Sequence, residues 1–444
     1  MIKVKPFKGY RYNQEKIEDL GNVMAPPYEM ISDETRRELC EKSEYNIVKL
    51  SKGVSYENDN ELENCFTRSK KLLDEWIENK ILQKEDKDAF YIYEQVVTYK
   101  NTTYSNLGFM GLLKLEDLNT GNILQCERCN EKRIEERSKL LKNSKSNFSM
   151  INCIYMEYEK DLMNKLKEIS EKFSPDMSFK THENIVGEDV EQRVWAIKDE
   201  ATIEFIQEIL KKQTLYIADG QTRYEVGLEY KKMCEKNNPN YTGEEDYNYI
   251  MALFTNAFDD GLIQLPVHRL IKTKRGFSED LLIAFAQDYF KVEKIIVDIA
   301  SEEFVETMKK QISTFLGENR FSIYCGGNYF YRFTLKNDDI LKELLPDVSD
   351  AYRRLDATVL NEVILKCLLN MSDEDIQTQV DYTTRASIGV EAVKEKIFDF
   401  MVVTNPVRAE SICDVAKAHE RMPEKSMFIF PKASTGVVVY KMEE

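Results

Sequence analysis

The chain has no apolar run near the roughly 20 residues that cross a bilayer, and its opening residues lack a signal-peptide pattern. It also lacks a basic excess. Lys and Arg number 62 against 78 Asp and Glu, a formal net charge of −16. That balance argues against a nucleic-acid groove or an anionic membrane as main partner, while leaving room for a small basic pocket. Among nine cysteines there is one Cys-x-x-Cys, Cys126 to Cys129, and no second pair. A structural zinc site needs two more ligands at suitable spacing, and His182 and His419 stand in unconvincing contexts. No Walker loop, no Gly-x-Gly-x-x-Gly after a strand and no kinase signature set occurs, and "GGN" at 326–328 lacks a phosphate-loop context. Internal repeats and low-complexity tracts are missing too. Scattered cysteines without an export signal fit reduced thiols in the cytoplasm.

What remains is an ordinary globular composition, 42% hydrophobic and 32% charged over 444 residues, long enough for two or three structural units. "VKPFKGYRYN" and "VMAPPYEMIS" read as short strands and turns, Pro26 and Pro27 excluding a helix there. "DETRRELCEK" has a helix start at Ser32–Asp33, and "CFTRSKKLLDEWIENKILQ" is an amphipathic helix with Leu72, Leu73 and Trp76 on one side. "AFYIYEQVVTY" and "NLGFMGLLKLE" predict a hairpin. "NILQCE" predicts a strand and "RCNEKRIEERSKLLKNSK" a helix. "NCIYMEY", "RVWAIKD" and "TLYIADG" read as strands, and "YIMALFTNAF" as helical. Beyond about residue 276, long helices alternate with strands, and "SMFIFPKASTGVVVYKM" predicts a terminal hairpin. The fold class expected is α+β, divided into residues 1–275 and 276–444.

The stretch "LYIADGQTRYEVGLEY" predicts a strand, a sharp turn and a helix. Asp219-Gly220 is a strong turn signal, and Thr222 with Glu225 has capping-box spacing. Such a helix start leaves free N–H groups that favour an anion, and Arg223 adds a fork of donors. Read locally, the stretch favours a capped turn with a solvent-facing Arg over an anion site.

"KPFKGYRYN", "APPYEMIS", "CERCNEKRIEERSKLLKNSKSNFSMI", "YIADGQTRYE", "LPVHRLI" and "RMPEKSMFIFPKASTG" occur in that order. Together they resemble the domain-of-unknown-function 1015 family from residue 2 almost to the end. The resemblance implies a ParB/sulfiredoxin-like mixed-sheet core with helical insertions and a C-terminal α/β region. It also implies phosphoryl transfer to the hydroxyl of free L-serine, with pyrophosphate as donor. The family usually has Asp-Gly-His-His-Arg-Tyr-Glu at the turn, where this chain has Gln221 and Thr222. It usually has His-Glu-Arg-Thr after the earlier strand, where this chain has Cys126 and Cys129 around Glu127 and Arg128.

Phosphoryl transfer needs cations and N–H groups around the phosphates, usually Mg²⁺, and a base near the attacking hydroxyl. Asp219, Gly220, Gln221, Thr222 and Arg223 are the expected phosphate cradle, with Asp219 either a metal ligand or a cap. By the resemblance, Glu29 after "APPY" aligns with the base of related serine kinases, and Glu127 and Arg128 orient substrate or pair on the surface. His268 and Arg269 in "LPVHRL" keep family residues. Lys425, Ser426 and Lys432 are expected to meet in the terminal hairpin, as site groups or as exposed lysines. The donor is left open among pyrophosphate, ADP and ATP, and a non-catalytic module binding a nucleotide or phosphometabolite is the alternative. So is a kinase for another small hydroxyl acceptor.

Overall fold

Alternate residues of Tyr249–Asn256 enter two different cores, and this decides what the segment becomes. Tyr249, Met251 and Leu253 pack into one apolar cluster, Ile250, Ala252 and Phe254 into another. All eight residues are buried and form a strand, so the expected helix over "YIMALFTNAF" is corrected. A strand covered on both faces shows no polar–apolar alternation, which leaves a short apolar run ambiguous.

A computed structural model describes residues 1–127, 131–183, 187–274, 276–297, 303–313 and 318–443, without the side chains of 131–133. The chain forms two units, one of Met1–Gln125, Cys129–Ile263 and Pro431–Glu444, the other of Cys126–Arg128 and Gln264–Phe430. Both mix helices with strands, as the α+β class requires.

Among the described residues of the first unit lies a nine-stranded mixed sheet. Its path runs Ile123–Gln125, Leu215–Asp219, Ile151–Tyr155, Tyr249–Asn256, Thr102–Lys114, Phe90–Tyr99, Glu188–Ile197 and Met177–Glu183, with Val4–Lys5 against Thr102–Lys114. The hairpin Phe90–Tyr99 with Thr102–Lys114 forms as expected. Leu215–Asp219 is parallel to Ile123–Gln125 and antiparallel to Ile151–Tyr155, with a register shift between Ile217 and Asp219. That irregularity falls where the strand gives way to the turn.

Three helices position the site. Asp33–Lys42 is capped by Ser32, whose hydroxyl accepts from the Thr35 N–H. Glu131–Ser144 and Gln221–Asn237 are the other two. The segment after Pro431 is laced into the same unit: Ala25 bridges Thr435, Tyr10 bridges Val439, and Tyr440–Lys441 pairs with Ser146–Asn147. The expected terminal hairpin is therefore corrected. Lys432 belongs to the first unit, whereas Lys425 and Ser426 belong to the second.

The second unit has a six-stranded antiparallel sheet among its described residues, ordered Phe290–Ile296, Tyr329–Leu335, Arg320–Tyr324, Phe400–Val403, His268–Ile271 and Val380–Thr383. Phe400 and Val402 enter one core, Met401 and Val403 another. No helix among the described residues is long and apolar enough to cross a membrane.

Candidate functional site

The turn after Leu215–Asp219 depends on Gly220. Its φ is 87°, a left-handed conformation that L side chains rarely adopt. A Cβ there would lie 2.8 Å from Ile151 Cγ2 and 2.9 Å from Arg223 Nε and Nη2. Gly220 is itself the N-cap of Gln221–Asn237, with no side-chain capping bond. The capping box expected of Thr222 and Glu225 is therefore absent, because the left-handed glycine leads straight into the helix. Gln221 turns inward and donates to the Ile217 carbonyl at 2.9 Å.

Arg223 folds back over the glycine. Its Nη1 donates to Ser149 Oγ at 2.6 Å and to the Met150 carbonyl at 2.8 Å, while Nη2 stands 3.7 Å from Asp219 Oδ1. Its Nε is buried without a partner. The solvent-facing alternative for this side chain is excluded, its exposure being 14%.

Glu29 lies on the 3-10 turn Tyr28–Met30, which begins after Pro27. Lys52 holds that turn, donating to the carbonyls of Ile31 and Tyr28. Arg137 reaches the same place from Glu131–Ser144, its Nη2 3.6 Å from Glu29 Oε1 and its guanidinium 3.9 Å from the centre of the Tyr28 ring. Arg137 and Arg223 both border a cavity of about 50 Å³ that Ser149 also lines. Burial alone would raise Glu29, but the guanidinium groups of Arg223 and Arg137 outweigh it, against Asp219, and hold its carboxyl below the usual value.

Lys432 completes the cluster with Nζ 2.9 Å from Asp219 Oδ2. Burial opposes ionisation of Asp219 as well, yet Lys432 and Arg223 bring its carboxyl down to about 2. The segment around Lys432 is fixed by buried polar groups. Gln95 donates to the Lys432 carbonyl at 3.0 Å, and the Ser434 N–H donates to the Tyr93 hydroxyl at 3.3 Å. Thr435 exchanges backbone bonds with Ala25, so the "APPYE" turn and the "PKASTG" segment are held side by side.

Arg137, Arg223 and Lys432 thus face the carboxylates of Glu29 and Asp219 in one partly buried place. Such a set suits a polyanion bearing its own cation: three positive groups attract it, and two carboxylates stay ionised to take a proton or a metal. Among the described residues no three His, Cys, Asp or Glu side chains cluster around a metal position. A metal here would lean on Asp219 or Glu29 and on oxygens of its ligand.

The other sequence-derived candidates lie in the second unit. Glu127 Oε1 accepts from the N–H groups of Ser426 and Met427, at 3.1 and 3.0 Å, so this carboxylate holds the 426–427 backbone. The Ser426 hydroxyl donates to the Pro423 carbonyl at 2.6 Å. Lys425 takes a left-handed φ of 62°. His268 is fully buried, and its Nδ1 accepts from the Thr404 N–H at 3.2 Å, which puts the proton on Nε2. Burial pushes this imidazole down to about 3. Arg269 is 2% exposed and stacks 5.0 Å from the Tyr382 ring centre. Arg128 lies outside the described residues.

Arg137, Lys52 and Ser149 escaped the sequence reading. Arg137 follows Ile134 by three positions and precedes Leu140 and Leu141 by three and four, so it sits on the buried face of a charged helix. An arginine on that stripe is the signal that finds it.

No curated protein matches the chain. Among solved structures, a conserved hypothetical protein from Pyrococcus furiosus is 9% identical with a TM-score of 0.33, over 70% of this chain and 90% of that one. A mutant free serine kinase in complex with ADP is 9% identical with a TM-score of 0.34, over 69% and 84%. A free serine kinase in complex with AMP is 10% identical with a TM-score of 0.33, over 69% and 83%. The model of the family described as "Protein of unknown function (DUF1015)" matches residues 4–358, and the chain belongs to that family.

Proposed function

We propose that the chain is a small-molecule kinase of the cytoplasm. It transfers a phosphoryl group, from pyrophosphate in preference to a nucleotide, to the hydroxyl of free L-serine and gives O-phosphoserine. The observation that carries this reading is the meeting of Glu29 with Arg137, Arg223, Asp219 and Lys432. The ParB/sulfiredoxin-like kinship of the first unit belongs to the same proposal.

Little covalent work falls to the protein in phosphoryl transfer; positioning and charge neutralisation dominate. Arg223 and Lys432, with the N–H groups opening Gln221–Asn237, hold the donor phosphates. Glu29 takes the serine hydroxyl proton as the oxygen bonds to phosphorus and the bond to the departing phosphate breaks. In the free protein the two arginines make Glu29 a weak base. Donor phosphates neutralise Arg223, so the proton affinity of Glu29 rises when the reaction needs it. Mg²⁺ commonly takes one or two carboxylates plus substrate phosphates. Asp219, ionised well below neutral pH, fits as its protein ligand, and the ion would spread the phosphate charge. The mechanism uses first-unit residues alone.

A second reading, a module that binds a phosphometabolite without turnover, is favoured by the turn itself. Gln221 points into the core, where it cannot replace an imidazole at the site. One assay separates the two. Purified protein is given L-serine, Mg²⁺ and, in turn, pyrophosphate, ADP and ATP, and phosphoserine is read by mass. Phosphoserine, most abundant with pyrophosphate, is expected. Equal or greater product with ATP would overturn the donor, and binding without product would favour the module.

A further inference from the structure

A second cavity, of about 360 Å³, lies in the first unit and is bounded by Tyr28, Arg36, Ser51, Lys52, Glu136 and Arg137. Its size is at the lower end for small-ligand sites. What distinguishes it is its polar wall, where two guanidinium groups, an ammonium and the Ser51 hydroxyl stand with two carboxylates. Such a wall suits a small ligand that carries charge.

The charges identify its class. Arg36, Lys52 and Arg137 outnumber Asp33 and Glu136 on the cavity wall. Lys52 is already committed to two backbone carbonyls, and the Nη2 of Arg36 to Asp33 at 3.1 Å. Two guanidinium groups and a hydroxyl complete the wall, a combination suited to a planar carboxylate. Glu136, whose carboxylate accepts from the Tyr28 hydroxyl, gives the cavity an anionic partner for an ammonium group. Arg137 borders the cavity and also stands 3.6 Å from Glu29, and Tyr28 on the cavity wall is the residue before Glu29.

We infer that this cavity is the acceptor subsite and that it selects a free α-amino acid. Arg36, Arg137 and Ser51 take the carboxylate, Glu136 the ammonium, and the side-chain hydroxyl is left toward Glu29. The inference rests on the kinase reading for the direction of the hydroxyl, but recognition of the amino acid is a binding property that can be measured without turnover. Arg36 is on this view a specificity-determining residue.

Calorimetric titration with pyrophosphate present tests it. Wild-type protein should bind L-serine, and should bind ethanolamine, which lacks the carboxylate, and 3-hydroxypropionate, which lacks the ammonium, at least about tenfold more weakly. Arg36→Gln and Ser51→Ala, checked for fold by circular dichroism, should each weaken L-serine while leaving pyrophosphate affinity within about twofold, the larger loss, about tenfold, falling on Arg36→Gln. Undetectable serine binding, equal affinity for serine and ethanolamine, or wild-type serine affinity in Arg36→Gln would overturn the assignment. If serine binds as expected but no donor yields phosphoserine, the subsite stands and the kinase reading falls.

Discussion

Lys432 Nζ donates to Asp219 Oδ2 at 2.9 Å across 213 positions of sequence. The ammonium keeps Asp219 ionised and is itself kept at the site by the Gln95 bond to its carbonyl. Lys432→Met retains much of the side-chain length and removes the charge. Pyrophosphate affinity should fall by about 1.5–3 kcal/mol, the usual worth of a charge-assisted bond, and the Asp219 carboxyl should rise from about 2. Calorimetry reads the first effect and carboxyl NMR the second. Wild-type behaviour in both would remove Lys432 from the site.

Glu29→Gln should lower kcat by roughly 10²-fold or more, the scale of a lost general base. It also removes a negative charge next to Arg137 and Arg223, so pyrophosphate should bind at least as tightly as before. Wild-type turnover in a folded variant would reduce "APPYE" to a structural turn.

Arg223→Lys keeps the charge but cannot serve Ser149, Met150 and a phosphate together. Its pyrophosphate affinity should drop, and Arg223→Ala should lose more, about 1.5–3 kcal/mol. Both are read by calorimetry on folded protein. Unchanged affinity in the two variants would show that Arg223 only braces the 149–150 backbone.

Gly220→Ala should destabilise the protein by at least about 1–2 kcal/mol, the cost of a left-handed L-residue, before any clash is counted. The new Cβ meets Ile151 and the Arg223 guanidinium, so anion affinity should fall with the melting temperature. A variant with wild-type melting and binding would mean that the turn relaxes at no cost.

His268 predicts a pH dependence. Its folded value, about 3, lies below the ordinary 6.5 because burial disfavours the imidazolium. Below about pH 6.5 the unfolded chain takes a proton that the folded chain refuses. Stability is therefore full above that pH and is lost as pH falls toward 3, by up to about 1.4 kcal/mol per unit. His268→Gln should remove this contribution between pH 6.5 and 5, where Asp356, raised to about 6 by burial, adds a slope of opposite sign in both proteins. An identical slope in calorimetric melts would show that His268 is not its source.

The turn at 219–223 was legible because Asp-Gly has few uses, and the positive φ at Gly220 is what such a pair serves. Its capping was not. Thr222 and Glu225 have the right spacing, but spacing cannot tell that the glycine has already started the helix. Arg137 was hidden among the charges of "RIEERSK", since only the neighbouring Ile134, Leu140 and Leu141 mark that face as buried. Tyr249–Asn256 was misread because both of its faces are covered. The second unit's alternation of helices and strands was easier to read, a run such as Phe400–Val403 being too short and too apolar for a surface helix.

The bonds between Thr435 and Ala25 carry a consequence for biosynthesis. Residues of the second unit, Gln264–Phe430, intervene in the chain before Pro431–Glu444 returns to the first. A nascent chain that has already made Glu29, Arg137 and Arg223 still lacks Lys432 and the partner strand for Ser146–Asn147. Closing so long a loop is entropically slow, and contacts this distant in sequence form late. The cluster of Glu29, Arg137, Asp219, Arg223 and Lys432 is thus assembled last, after translation has passed through the whole inserted unit, and until then Asp219 lacks its ammonium partner.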